Sequence, residues 1–356
     1  MNSVNAFFSH LIGSLLNKTS VDWSRFEGLK SEDWLQLYAL SVKQGVVAVL
    51  YDTLRFVPKN IAPPKELLLK WLSHTLSIEK QMMKKRTVAI EFAENMAEKN
   101  IPVVVLKGIA FASYFPNPSH REFGDFDCYM MGKKEEGDIA AIVAGAMKED
   151  ASYKHSHLYY KGLMIENHRY LTSFDNSKQG IKTELILKDL IGSNYSYIDN
   201  TKLILPSAIF NAIFLVKHAQ RHFLREGICI RHLLDWAFFL KTESVNVDWC
   251  KAIPIMEECR ILNFAKVMTS LCVDKFGVVV DIPGLKGSME ISDAVFAEIL
   301  SGYPNPFHEN LMQKVVRITR RFYRMWKFRS LADESYFRLL WNNIVSKYYF
   351  KIIGVR

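Results

Sequence analysis

Val103-Val104-Val105-Leu106-Lys107-Gly108 and, a little further on, Gly124-Asp125-Phe126-Asp127 decide how this 356-residue chain is read. A short β-branched run is the mark of a buried strand. Lys107-Gly108 closes that run, and Ile109 to Phe115 reads as a short helix. A second strand is expected over Phe123 to Met131. On a strand, residues i and i+2 share a face, so Asp125 and Asp127 project together while Phe126 and Cys128 face the other way. Two carboxylates held side by side repel each other, which a divalent cation or a shared proton resolves. Oxygen-only ligands suit Mg²⁺ or Mn²⁺, ions that also coordinate substrate phosphates. Upstream, a glycine between strand and helix lets the backbone approach a phosphate, and a helix N-terminus offers N–H groups and a positive dipole end. Lys107 adds a positive charge there, and Arg121 could clamp a phosphate bidentately. A phosphate cradle beside paired carboxylates is equipment for phosphoryl or nucleotidyl transfer.

A two-ion site calls for a third acid. Glu166, in Leu163-Met164-Ile165-Glu166-Asn167-His168, is the first choice, because a charge between apolar neighbours on a strand is costly unless paired. His168 shares its face at i+2. Glu184, in Lys182-Thr183-Glu184-Leu185, is the competitor.

The flanks read differently. A prior of about 150 residues per domain allows two domains, or one large domain with helical additions. Residues 1–100 read as a helical region: Ser31 is a plausible N-cap for Glu32 to Lys43, Gly45 its stop, and Pro63-Pro64 opens a long helix from Lys65 to Lys99. Residues 101–205 form the α/β core. There, Lys133 to Lys148 is expected as a helix, His157 to Lys161 and Leu163 to Tyr170 as a hairpin broken at Gly162, and Thr183 to Leu187 as a further strand. Residues 206–356 are helical again: Ser207 to Phe223, Arg231 to Leu240, Trp249 to Phe276, Ser292 to Leu300, and a basic C-terminal portion. The fold class is therefore α+β, a small mixed sheet between two helical regions.

Composition excludes several classes. With 49% hydrophobic and 23% charged residues the chain is globular rather than disordered. Its apolar runs, such as Ala208 to Val216, are too short to span a bilayer. The apolar patch at Phe7-Phe8 and Leu11 to Leu16 has no preceding Lys or Arg and no small-residue cleavage site, so no signal peptide is read. Five cysteines (Cys128, Cys229, Cys250, Cys259, Cys272) without a CxxC pair, in apolar surroundings, suit a reducing cytoplasm. The patterns GxxxxGK[ST], GxGxxG, GxSxG and HExxH are absent, which removes P-loop, Rossmann, serine-hydrolase and zincin readings. From Gln313 to Arg356 there are eleven bases and two acids, so the whole net charge of +9 lies in that segment. Arg317, Arg321 and Arg324 fall on one helical face there, with Val315, Ile318, Phe322, Met325 and Trp326 largely elsewhere. Such a face is either a solvated helix surface or a surface for nucleic acid, a triphosphate or lipid headgroups.

At this point the sequence resembles a family. Val105-Leu106-Lys107-Gly108, Tyr114-Phe115-Pro116-Asn117-Pro118, Arg121 and Gly124-Asp125-Phe126-Asp127 look like the LKG…Yp-p…R…GDiD signature of the uncharacterised bacterial nucleotidyltransferases, within the DNA polymerase β-like superfamily. Ile165-Glu166-Asn167-His168 is similar to that family's ELH strand, with Asn167 in place of leucine. In the wider superfamily the phosphate motif usually has Gly followed by Gly or Ser. Here Ile109 follows Gly108, which leaves the phosphate contact to the backbone or Lys107. The resemblance implies that Asp125, Asp127 and Glu166 hold two Mg²⁺ ions. It further implies that the chain transfers a nucleoside monophosphate from an NTP to a small-molecule, sugar or protein acceptor, releasing pyrophosphate.

Downstream, His218, His222, Arg231 and Leu234-Asp235-Trp236 look like a helical element with spaced histidines. His218 and His222 have i, i+4 metal-ligand spacing, but no Glu follows the first and sequence fixes no third ligand. A polar helix–helix contact, or an acceptor or nucleotide pocket formed with His168, Arg231 and Asp235, is favoured; Asp235 could instead pair with Arg231 one turn away. Two other readings stand beside the enzyme: a phosphotransferase on the same fold, and a catalytically silent binding protein using its basic C-terminus.

Overall fold

The two faces of one mixed sheet divide the labour. The computed structural model describes residues 3–151, 154–172, 178–302 and 311–337. Helices α1 (Ser3–Asn17), α2 (Ser31–Lys43), α3 (Val47–Leu54) and α4 (Lys65–Ala97) come first. Then follow β1 (Val103–Val105), the one-turn α5 (Ile109–Ala112), β2 (Phe126–Tyr129), α6 (Lys134–Val143), β3 (Met147–Ala151), β4 (His155–Tyr160), β5 (Leu163–His168), α7 (Lys178–Ser193), β6 (Tyr195–Tyr197) and β7 (Leu203–Pro206). Helices α8 (Ala208–Arg225), α9 (Ile230–Glu243), α10 (Trp249–Glu258), α11 (Leu262–Phe276), α12 (Met289–Ser301) and α13 (Leu311–Lys327) complete the order. The fold is α+β, and no helix among the described residues is long and apolar enough to cross a membrane.

The seven strands run in the order β3-β4-β5-β2-β1-β7-β6. β2 pairs in parallel with β5 and β1 with β7; the other pairs are antiparallel. Alternation places Phe126, Ile165, Leu158 and Tyr160 on one face, all buried. There Phe92 of α4 meets the rings of Phe126 and Tyr160 at 6.5 and 5.5 Å. The same face carries one polar knot: Asn167 donates to Asp138 Oδ1 at 2.8 Å and to the Lys134 carbonyl at 2.9 Å, and Ser156 donates to Asp138 Oδ2 at 2.6 Å. Asn167 thus fastens β5 to α6. The opposite face presents Asp127, Glu166, His168, His155 and His157.

Several expectations are corrected. Lys133 to Lys148 is not one helix: α6 ends at Val143, Gly145 takes a left-handed turn at φ +98°, and Met147 onward pairs with β4 as an edge strand. Thr183 to Leu187 is not a strand: it lies inside α7, where Thr183, Leu187 and Ile191 are buried at i, i+4 and i+8. Trp249 to Phe276 is two helices, broken where Arg260 adopts φ +55°. Ser31 is the first residue of α2 rather than its cap; the Lys30 N–H is taken by Asp33 at 3.0 Å. Cys250 is exposed, not in apolar surroundings. The face shared by Arg317, Arg321 and Arg324 is not uniformly solvated: Arg324 is buried, donating to Glu298 at 3.0 Å and to the Phe223 carbonyl at 3.1 Å. Elsewhere on that helix Met325 is buried, while Val315, Ile318 and Trp326 are exposed. Arg338, Lys347, Lys351 and Arg356 lie outside the described residues.

Helix α4 is the post on which the loop between β1 and β2 is hung. Lys85 donates to the carbonyls of Phe123 and Gly124 at 2.6 and 3.1 Å. Buried His120 bridges Asp52 of α3 at 2.8 Å and Glu79 of α4 at 2.7 Å. Burial lowers the His120 pKa, but the two carboxylates outweigh it and the net shift is upward. A native pKa above the unfolded one gives stability that is complete below the unfolded value, about 6.5, and is lost as pH rises through the raised native value. His120→Gln should therefore cost about 2 kcal/mol at pH 6 and clearly less at pH 9, read from urea midpoints. An equal cost at both pH values would contradict the charged bridge.

Candidate active site

Three consecutive structural events build the site. β1 ends, Leu106 donates its N–H to the Asp127 carbonyl at 3.1 Å, and the chain turns at Gly108 with φ +64°. That left-handed backbone favours glycine, and a Cβ there would press on Phe123 at 3.3 Å. The turn aims Lys107 at β2, where its Nζ lies 3.0 Å from Asp127 Oδ2. Next, the parallel register sets Asp127 directly opposite Glu166, with His168 one pleat further along the same face. Asp125, at the entry to β2, completes the group: the ligand oxygens of Asp125, Asp127 and Glu166 lie within 4.8 Å of one another. The three carboxylates could hold a metal ion through oxygen donors alone.

The electrostatics follow from burial. Asp127 is 2% exposed. Its burial favours the neutral acid, yet Lys107 and His168 outweigh this and hold the carboxyl far below the usual range. His168 donates from Nε2 to Asp127 Oδ1 at 3.0 Å, and its Nδ1 meets the Tyr170 carbonyl at 3.2 Å. Both ring nitrogens face acceptors, an arrangement that favours the doubly protonated ring. Burial opposes that charge, but Asp127 and Glu166 raise the His168 pKa on balance. Lys107 behaves likewise: burial lowers, Asp127 and Asp125 raise, and the net shift is upward. Burial also pushes Asp125 up, reinforced by the charge of Asp127. In Glu166 burial is outweighed, mainly by His168, and its pKa falls.

The structure brings together most of the residues singled out in the sequence. One cleft of about 560 Å³, open mouth included, is lined by Lys107, Gly108, Asp125, Asp127, His218 and Arg231, among others. Arg121 and Asp235 line it too, but they face each other as a buried bidentate pair at 3.0 and 2.6 Å. Arg121 thus ties the loop that leads into Asp125 to α9, and Arg231 reaches the Glu122 carbonyl of that loop at 3.2 Å. Asp235 pairs with Arg121 rather than with Arg231. Glu184 stands apart from the carboxylate cluster: it accepts the N–H groups of Leu171 and Thr172, both at 2.9 Å, and braces the chain after β5. His218 and His222 gather with His232, their ring centroids 4.3 to 6.2 Å apart. Burial keeps these rings neutral, with His232 pushed down to about 3. Among the described residues they are not one of the groups that could hold a metal.

Two residues escaped sequence reasoning. His155 and His157 of β4 lie opposite His168 and Glu166, and His155, Glu166 and His168 form a second group with ligand atoms within 4.8 Å. The signal was available: a tight turn at Lys161-Gly162 fixes the hairpin register, and the spacing His155-x-His157 then answers Glu166-x-His168.

A family model described as uncharacterised nucleotidyltransferase matches residues 30–277, well over half of the chain, which therefore belongs to that family. The span runs from α2 to the end of α11 and contains every residue of the carboxylate cleft. No curated protein and no solved structure matches the chain.

Because an ammonium already sits against Asp127, a divalent ion has to compete with it. Lys107→Met should raise Mn²⁺ affinity several-fold, and Asp127→Asn should lower it at least about tenfold, roughly 1.4 kcal/mol. In the wild type, affinity should climb with pH as the raised carboxyl of Asp125 ionises. Calorimetric Mn²⁺ titrations between pH 5 and 8 read all three effects.

Proposed function

We propose that the chain transfers a nucleoside monophosphate from a nucleoside triphosphate to a hydroxyl acceptor, with Mg²⁺ or Mn²⁺ held by Asp125, Asp127 and Glu166. The convergence of these carboxylates on one sheet face carries the reading. Lys107 and His168 offset part of that negative charge, and a bound cation would offset more. When bound, the ion would neutralise the triphosphate and lower the pKa of the acceptor hydroxyl.

The chain's own residues do the rest by position. Lys107, beside the turn at Gly108, is placed to exchange Asp127 for a donor phosphate, with Ile109 leaving no hydroxyl to assist it. His168 fixes the rotamer of Asp127 and keeps it ionised. Arg121, held by Asp235, fixes the loop from which Asp125 projects. The acceptor oxygen bonds to the α-phosphorus as the bond to the bridging oxygen breaks. Pyrophosphate leaves with the electron pair, and the hydroxyl proton passes to a cluster carboxylate. Such catalysis is mostly orientation and electrostatics.

The direct test is to incubate the full chain with each α-³²P-labelled nucleoside triphosphate and Mg²⁺, using a small-molecule and protein acceptor panel, and to measure label transfer and pyrophosphate. Asp125→Asn and Asp127→Asn should each lower the rate by about 10²- to 10³-fold while circular dichroism stays native. Full transfer by Asp127→Asn would overturn the assignment.

A further inference from the structure

Behind the carboxylate cleft lies a second one, and the two share a wall. Phe214 and His218, on consecutive turns of α8, line both. The second cleft, about 700 Å³ with its open mouth, is lined by Lys154, Lys217, Arg221, His222, Arg225 and Asp333, among others. His218, Arg221, His222 and Arg225 follow one another at i, i+3, i+4 and i+7, so one stripe of α8 faces it. Asp333 is the acid in its lining and forms an ion pair with Lys217. The lining cations therefore exceed the lining acid by three, counted as formal charges and irrespective of what each one touches. Lys154 immediately precedes β4, next to the His155 that neighbours Glu166, so the positive lining runs up to the carboxylate face. The crowding continues behind it. Burial, Arg225, Arg317 and Arg324 push the Arg321 guanidinium of α13 down to about 10, with Glu226 opposing. Glu226, just past the end of α8, accepts from His222 at 3.0 Å. Two carboxylates already face these cations: Glu226, held down to about 2 by His222, Arg221 and Arg321, and Asp333, which despite its burial is lowered by Lys217 and Arg225. Guanidinium groups match phosphate oxygens bidentately.

We propose that this second cleft holds a phosphate group carried by the acceptor. The acceptor is then a phosphomonoester with a free hydroxyl, such as a polyol or sugar phosphate. Its phosphate sits among Lys154, Arg221 and Arg225, and its hydroxyl reaches past His218 to the carboxylate cluster. This rests on the nucleotidyl-transfer reading, in which donor phosphates occupy the Lys107 side. The acceptor phosphate takes no part in bond making; it is an anchor. Met325 and Asp333, which close the cleft, lie beyond the span matched by the family.

Calorimetry on the full chain separates the possibilities, using inorganic phosphate as one probe and a Mg²⁺ complex of an α,β-methylene nucleoside triphosphate as the other. Phosphate should bind in the millimolar range. Its affinity should change less than about twofold when the nucleotide analogue is saturating. Arg221→Gln and Arg225→Gln should each weaken phosphate about tenfold and the analogue less than threefold, while Asp125→Asn should weaken the analogue alone. Should one arginine variant lose its native circular dichroism, the other carries the test. Competition between phosphate and the analogue would overturn the proposal, because the cleft would then hold the donor's triphosphate. No phosphate binding, or binding indifferent to both arginines, would overturn it as well. If the analogue fails to bind the wild type while arginine-dependent phosphate binding persists, it is the nucleotidyl-transfer reading that fails, and the anion cleft stands.

Discussion

Like charge confined on one face of a sheet is the constraint to which the rest of the structure answers. Asp127 is buried with Asp125 and Glu166 crowded against it, and both burial and like charge work against its ionisation. Lys107 and His168 supply the missing positive charge from opposite sides of Asp127, each at 3.0 Å. A buried pair of this kind contributes little net stability, because desolvation cancels much of the attraction. What it does contribute is a fixed geometry. His168 is held between two acceptors, and Lys107 reaches Asp127 along a long unbranched stem.

Holding that arrangement takes a framework larger than the sheet. α4 braces the incoming loop through Lys85 and, with α3, through His120. α9 braces the same loop through the Arg121–Asp235 pair. α6 fastens the far face of β5 through Asn167. Such anchoring fixes the position from which the Asp125 carboxylate projects. The helices before and after the sheet are therefore part of the site's mechanical support, and α8 and α9 also form the roof of its cleft.

Of the neutral histidines, His218 and His232 belong to that roof and His222 lines the second cleft. His218, His222 and His232 are crowded by burial and by neighbouring positive charge, which keeps them uncharged beside a cluster where charge is concentrated. They lie along the boundary between the two clefts without adding charge to either.

Sequence by itself determined the elements whose signals are local. The β-branched run at Val103, the spacing of Asp125 and Asp127, the charge of Glu166 between apolar neighbours and the turn at Gly162 rest on periods of two residues and on turn chemistry, and all are legible without long-range knowledge. Strand identity failed where both alternatives shared a short apolar pattern: Thr183 to Leu187 reads as either strand or helix until its burial at every fourth residue is known. The edge strand from Met147, polar and exposed, gave no hydrophobic alternation to find. Only the tertiary structure decided partners. Arg121 lies 114 residues from Asp235, and nothing in either neighbourhood says that they meet, or that Arg324 is buried while Trp326 is not. Pairing between distant charges depends on which surfaces the packed helices bring together. A local pattern can state that a residue bears charge, but it cannot state which surface the fold lays against it.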